Sequence, residues 1–182
     1  MKTYVALFRG INIGGHNILP MKQLVGLLES VGCRNIRTYI QSGNAVFQAM
    51  ELDRLHLAEK ISNAIETSYG FKPKVLLLDI KALRKAIRSN PFPEAESEPK
   101  SLSILFLAAK PSHPDLQKMA VISTPTERFE LKGCLFYLHT PDGAGRSRLA
   151  ARAEKLLGVP ATGRNWRTVC KLMQMADDKN GD

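Results

Sequence analysis

Apolar and polar positions along the N-terminal half follow two different periods. Residues 3–9 (TYVALFR), 34–40 (RNIRTYI), 44–48 (NAVFQ) and 74–80 are short apolar or alternating runs rich in β-branched and aromatic residues, and they predict four strands. Between the first two, Met21, Leu24, Val25, Leu28 and Val31 recur at helical spacing, with Pro20 suited to the first helical position and Gly32 to the stop. A second helical stripe, Leu55, Ala58, Ile61 and Ile65, lies within 52–69 and ends at Gly70. The resulting order is βαββαβ, that of a ferredoxin-like unit whose helices cover one face of an antiparallel sheet.

After a helix over 81–88, the stretch SNPFPEAESEPKS (89–101) carries three prolines and three glutamates and reads as a connector. The second half then predicts a strand over 102–109, a helix over 114–121, strands over 128–132 and 134–139 turning at Gly133, a helix over 147–157, a short strand over 161–164 and a helix over 166–176. The order repeats, with one helix added. The expected fold is therefore α+β, with two ferredoxin-like (βαββαβ) subdomains on antiparallel sheets and a C-terminal helix. The first subdomain is expected at 1–88, the second at 102–176, and a frayed tail at 177–182.

Composition changes this picture little. The 182 residues are 44% apolar and 24% charged, as in ordinary globular chains, and the apolar runs are too short to span a bilayer. With no secretory leader pattern at the start, a cytoplasmic location without membrane attachment is expected. Three widely spaced cysteines (Cys33, Cys134, Cys170) fit neither a disulfide framework nor a zinc site, so they are expected to be reduced, with no metal.

Charge changes the picture more. The chain carries +9, and the segment 144–171 supplies +6 of it, with Arg146, Arg148, Arg152, Lys155, Arg164, Arg167 and Lys171 against Glu154 alone. Such an excess favours an anionic partner, a phosphorylated small molecule or nucleic acid.

Three glycine-containing sites could present that charge. The first, RGINIGGHN (9–17), nearly fits the phosphate loop G-x-x-x-x-G-K-[ST], but His16 and Asn17 stand where lysine and hydroxyl belong, which excludes a nucleotide hydrolase of that type. Arg9, Asn12, Gly14 and Gly15 are left as an anion-binding loop, or as a plain turn in which Asn12 and Asn17 bond their own backbone. At the second, Gly143-Ala-Gly145-Arg146-Ser147-Arg148, the glycines allow a tight strand-to-helix turn, Ser147 can cap the helix, and the positive end of its dipole meets two arginines. Its competing reading is an ordinary capped turn with a solvated face of Arg148, Arg152 and Lys155. The third holds Arg164 and the helix cap Asn165 beside Trp166, the one tryptophan, which is either core or a stacking platform. Ser42-Gly43-Asn44 reads as a hairpin turn, with positive φ expected at Gly43 and Asn44.

The blocks YVALFRGINIGGHN, YIQSGNAVF, NPF and GAGRSRLAARAEKLLGVPATGRNWRTVCKL, in this order across nearly the whole chain, resemble the bacterial family catalogued as domain of unknown function 1697. The resemblance implies two ferredoxin-like subdomains and no established activity. His16 and Arg148 depart from its pattern, in which lysine commonly follows the double glycine and the serine.

No catalytic motif is visible. The histidines are scattered, no cysteine has an evident base partner, Ser147 lacks the glycine of a nucleophile elbow, and nothing implies a cofactor. The reading favoured by the residues is a binding module for a phosphorylated or polyanionic ligand. The alternative is a small-molecule enzyme gripping a phosphate or carboxylate with the same loops, with Ser147, His16 or Asn12 near the chemistry.

Overall fold

In the computed structural model, which describes residues 1–41, 43–51 and 53–178, the chain forms eight strands and six α-helices. The first half runs β1 (Lys2–Arg9), α1 (Met21–Ser30), β2 (Arg34–Thr38), β3 (Asn44–Ala49), α2 (Arg54–Tyr69), β4 (Lys74–Asp79) and α3 (Ile80–Arg88). The second half runs β5 (Leu102–Leu107), α4 (Leu116–Ile122), β6 (Arg128–Lys132), β7 (Leu135–His139), α5 (Arg148–Leu157), β8 (Ala161–Asn165) and α6 (Trp166–Asp177). The expected Leu52 start of α2 and the last tail residues lie outside the described residues. The strand orders are β2-β3-β1-β4 and β6-β7-β5-β8, and every pairing is antiparallel. Each is the ferredoxin-like order, so the βαββαβ topology occurs twice.

Two compact units divide the chain: Met1–Arg84 with the stretch from Lys171 onward, and Lys85–Cys170. In the first, Tyr4, Ala6 and Phe8 of the central strand join Leu24 and Leu28 of α1 and Leu57, Ile61 and Ile65 of α2 in one buried cluster. The i, i+4, i+8 spacing of the α2 residues sets its phase. Leu55, expected to face inward, is instead 83% exposed, and Leu57 takes its place one turn before Ile61. Asp53 caps α2, accepting from the N–H groups of Leu55 (2.9 Å) and His56 (3.2 Å). Pro20 stands at the N-cap of α1 rather than within its first turn. The end of α6 is tied into this unit by Arg37, whose guanidinium bonds the carbonyls of Met175 and Asp178, and by an Arg84–Asp177 ion pair.

In the second unit Leu107, Phe136 and Leu138 pack with Leu149, Ala153 and Leu157 of α5 and with Met119 of α4. The buried hydroxyl of Tyr137 donates to the Ala86 carbonyl at 2.7 Å. Burial also pushes the Tyr137 phenol up to about 12. Trp166 is buried, so of its two readings the core one holds.

Candidate anion-binding turns

Residues 10–19 join β1 to α1 through backbone that is left-handed at Gly10, Asn12, Gly14, Gly15 and Asn17. Asparagine side chains hold it there. Asn12 donates through Nδ2 to the carbonyls of Leu19 and Gln41, both at 2.9 Å, and its Oδ1 accepts the Leu19 N–H at 2.8 Å. Asn17 Nδ2 donates to the Gly10 carbonyl at 2.8 Å, and the Asn12 N–H donates to the Asn17 carbonyl at 3.0 Å. Both donors of the Asn12 amide are thus occupied within the chain. The N–H groups of Gly14 and Gly15 are different: they lie in the exposed part of the loop and meet no acceptor among the described residues. Arg9 closes β1, half-buried and paired in register with Lys74 of β4.

The Gln41 bond joins two sequence blocks, 9–17 and 39–47, into one structure. Gly43 brings them closest. A Cβ there would come within 2.7 Å of Ile11 Cδ1 and 2.8 Å of Phe8 Cβ, and its φ of +77° already disfavours a side chain. Its carbonyl accepts the Phe8 N–H at 2.8 Å. Of the expected hairpin turn, Ser42 lies outside the described residues, and positive φ falls on Ile40 and Gly43 but not on Asn44. Asn44 is instead a buried β3 residue whose amide donates to the Tyr39 carbonyl at 3.1 Å.

In the second unit the turn after β7 is built mainly by backbone. The Gly143 N–H donates to Thr140 at 3.0 Å, Arg146 to Gly143 at 3.2 Å and Ser147 to Ala144 at 3.2 Å, forming a 3₁₀ turn over Ala144–Arg146. Ser147 Oγ then accepts the Ala150 N–H at 2.9 Å and caps α5. Gly145, Arg146 and Arg148 stay exposed, and Arg152 and Lys155 continue the exposed face of α5. Among the described residues none of these four cations makes an ion pair. Arg164 and Asn165 lie apart in sequence, on β8 and at its junction with α6. Asn165 Oδ1 accepts the Thr168 N–H at 2.9 Å as a cap, and Arg164 donates to the Gly163 carbonyl at 2.8 Å. Burial lowers the Arg164 guanidinium to about 10, still charged at neutral pH.

The sequence profile of the family described as a protein of unknown function (DUF1697) matches residues 1–137, the whole first sheet and the second as far as β7. The chain belongs to that family. A solved structure described as conserved bacterial protein SP0830 from Streptococcus pneumoniae is similar in fold, with a TM-score of 0.68 at 23% identity over 97% of this chain and 99% of that one. No curated protein matches. Among the described residues no helix is long and apolar enough to cross a membrane.

In this DUF1697 chain the NPF block forms a cluster that the sequence did not disclose. Asn90 Oδ1 accepts the Phe92 N–H at 3.0 Å, and its Nδ2 donates to the Phe92 carbonyl at 3.2 Å and to Glu96 Oε1 at 2.8 Å. The Phe92 ring lies 4.7 Å beneath the Arg128 guanidinium, which also pairs with Glu94 and donates to His139 Nδ1 at 3.0 Å. Guanidinium has no acceptor, so this bond requires an unprotonated Nδ1. The His139 pKa is accordingly lowered, by burial first and Arg128 second, with Glu94 and Glu98 opposing. Arg128 and His139 are cross-strand partners in the β6–β7 hairpin. That register follows from the two-residue turn Gly133-Cys134, one residue longer than expected because β7 begins at Leu135 rather than Cys134.

Proposed function

We propose that the chain is a binding module for a phosphorylated or polyanionic ligand, gripped through the Gly143–Arg148 turn and the basic face of α5. The supporting observation is the set of exposed cations Arg146, Arg148, Arg152 and Lys155, none neutralised by a carboxylate among the described residues, at and beyond the capped start of α5. Exposed, unpaired guanidinium groups keep their donors for a phosphate at little desolvation cost. In the first unit, the Gly14 and Gly15 N–H groups form a separate, uncharged set of donors of their own. Of the side chains named for the enzyme alternative, Ser147 accepts as a helix cap and both Asn12 donors hold the loop, which leaves only the exposed His16.

The test is fluorescence anisotropy of labelled single-stranded RNA, single-stranded DNA and duplex DNA at about 50 and about 200 mM salt, the range in which phosphate contacts reveal themselves. Binding should fall steeply with salt, and Arg146→Ala and Arg148→Ala should each reduce the salt slope by about one. Absence of binding at the lower salt removes the polyanion form of the proposal.

A further inference from the structure

Within the second unit a cavity of about 390 Å³ opens beside the same turn, lined by Pro99, Lys100, Pro141, Gly143 and Arg167, with Glu98 and Ser101 completing it. Three separate segments form its wall, and backbone bonds tie them together. The Arg167 N–H donates to the Pro99 carbonyl at 3.3 Å, the Thr140 N–H to the Ser101 carbonyl at 2.8 Å, and the Gly143 N–H to the Thr140 carbonyl at 3.0 Å. The Ser101 hydroxyl donates to the Glu98 carbonyl at 2.8 Å. The wall is therefore set before any ligand arrives, which lowers the ordering cost of binding.

Its chemistry is asymmetric. Lys100 and Arg167 are both exposed, and neither pairs with a carboxylate among the described residues, Glu98 of the same wall included. Pro99 and Pro141 supply apolar ring faces. Gly143 has no atom within 4 Å of where a Cβ would stand, and its φ of +94° makes any side chain there strained. The cavity volume lies within the usual range for small-molecule sites, about 300–1,000 Å³.

We propose that this cavity binds a small phosphate monoester, with Lys100 and Arg167 on the phosphate, the proline faces against its carbon skeleton and the Glu98 carboxylate accepting from a hydroxyl. The inference goes beyond the anion-binding reading above: it names a ligand class and places its charge on Lys100 and Arg167 rather than on the arginines of the Gly143–Arg148 turn, with Gly143 common to both. Arginine supplies a planar fork of donors and lysine a mobile point charge, a combination suited to a dianionic oxygen cluster.

The experiment is an amide chemical-shift titration of the full chain with inorganic phosphate, ribose 5-phosphate and adenosine 5′-monophosphate, with ribose and adenosine as uncharged controls. Saturable shifts centred on Ser101, Gly143 and Arg167 are expected with the phosphates and absent with the controls. Lys100→Gln and Arg167→Gln, each checked for an unchanged melting temperature, should weaken binding tenfold or more, whereas Lys110→Gln, at an exposed lysine outside the cavity wall, should leave it within about twofold. Equal shifts from adenosine, or none from any phosphate up to about 10 mM, overturn the proposal. Oligonucleotide binding without these shifts sinks the cavity and spares the basic face of α5. Phosphate shifts without oligonucleotide binding uphold the cavity and remove the polymer.

Discussion

The two units share a strand order and differ in what their asparagines close. In the first, Asn12 and Asn17 turn their amides onto the glycine loop itself, and Asn12 reaches the neighbouring β2–β3 connection as well. In the second, the comparable clasp is made by Asn90 at the NPF turn, while the Gly143–Ser147 turn is held by backbone and one serine cap. The consequence is chemical. The glycine turn closed by its own amides leaves the Gly14 and Gly15 N–H groups and the exposed His16 outward, whereas the one closed by backbone leaves its arginines outward. Two stretches that look alike as strings of glycines therefore belong to different physical cases.

The largest effect should come from the packing that seals the first loop. Gly43→Ala places a Cβ against Phe8 Cβ, which cannot move without its backbone, and imposes left-handed strain as well. Together these should cost about 3 kcal/mol, measured by urea denaturation. A loss below about 1 kcal/mol would show that the two connections can part without harm, and the comparison would lose its first member. Asn12→Ala comes next, at about 2 kcal/mol, because three hydrogen bonds go together and the Leu19 N–H loses its acceptor. Asn12→Asp keeps the acceptor but sets a carboxylate oxygen against the Leu19 and Gln41 carbonyls, so it should cost at least as much as Asn12→Ala.

In the second turn the corresponding change is smaller. Ser147→Ala removes a single cap from α5 and should cost about 1 kcal/mol, with Ser147→Asp retaining most of the stability. If Ser147→Ala cost as much as Asn12→Ala, the two turns would be equally dependent on side chains and the contrast would fail.

The NPF clasp responds to pH instead. The His139 pKa is below its usual 6.5, so over the interval between the two values the unfolded chain holds a proton that the folded chain refuses. Stability is then complete above about 6.5 and declines as pH falls through the lowered value. His139→Gln keeps an acceptor for Arg128 and abolishes this titration, so its melting temperature should vary less between about pH 7 and about pH 5 than that of the parent. Parallel curves for the two chains would show that the Arg128 bond does not depend on the protonation of His139.

How much of this was readable beforehand follows a simple division. Local signals were strong: Gly70 stops α2, Ser147 and Asn165 cap α5 and α6, and the repeated βαββαβ order yields both sheets. Relations across the chain were not. Nothing in the spacing of Asn12 and Gln41 says that one bonds the other, nor that Gly43 lies against Phe8 and Ile11, because those depend on which connections meet at one end of a sheet. Helix phase failed in one place, Leu55, which lies six residues before Ile61 and so about 120° round the helix from the middle of the Leu57–Ile61–Ile65 face. The candidate site shows the same division: the arginines were visible as charge, but the Lys100–Arg167 cavity brings together residues from three segments.

The smallest stability effect belongs to the residues on which the function is proposed to rest. Arg146 and Arg148 are exposed and make no ion pair among the described residues, so Arg146→Ala and Arg148→Ala should each change stability by less than about 0.5 kcal/mol. The direction for Arg148→Ala should be slightly favourable, since a cation at the start of α5 opposes the positive end of the helix dipole. This silence is informative when set beside Asn12→Ala. A residue whose loss unfolds the chain cannot be assigned a binding role from lost binding alone, whereas a residue whose loss leaves the melt unchanged can. If either arginine substitution instead cost more than about 1 kcal/mol, the second turn would depend on its side chains for shape as the first does. The exposed charge would then be part of the fold rather than held ready for a ligand.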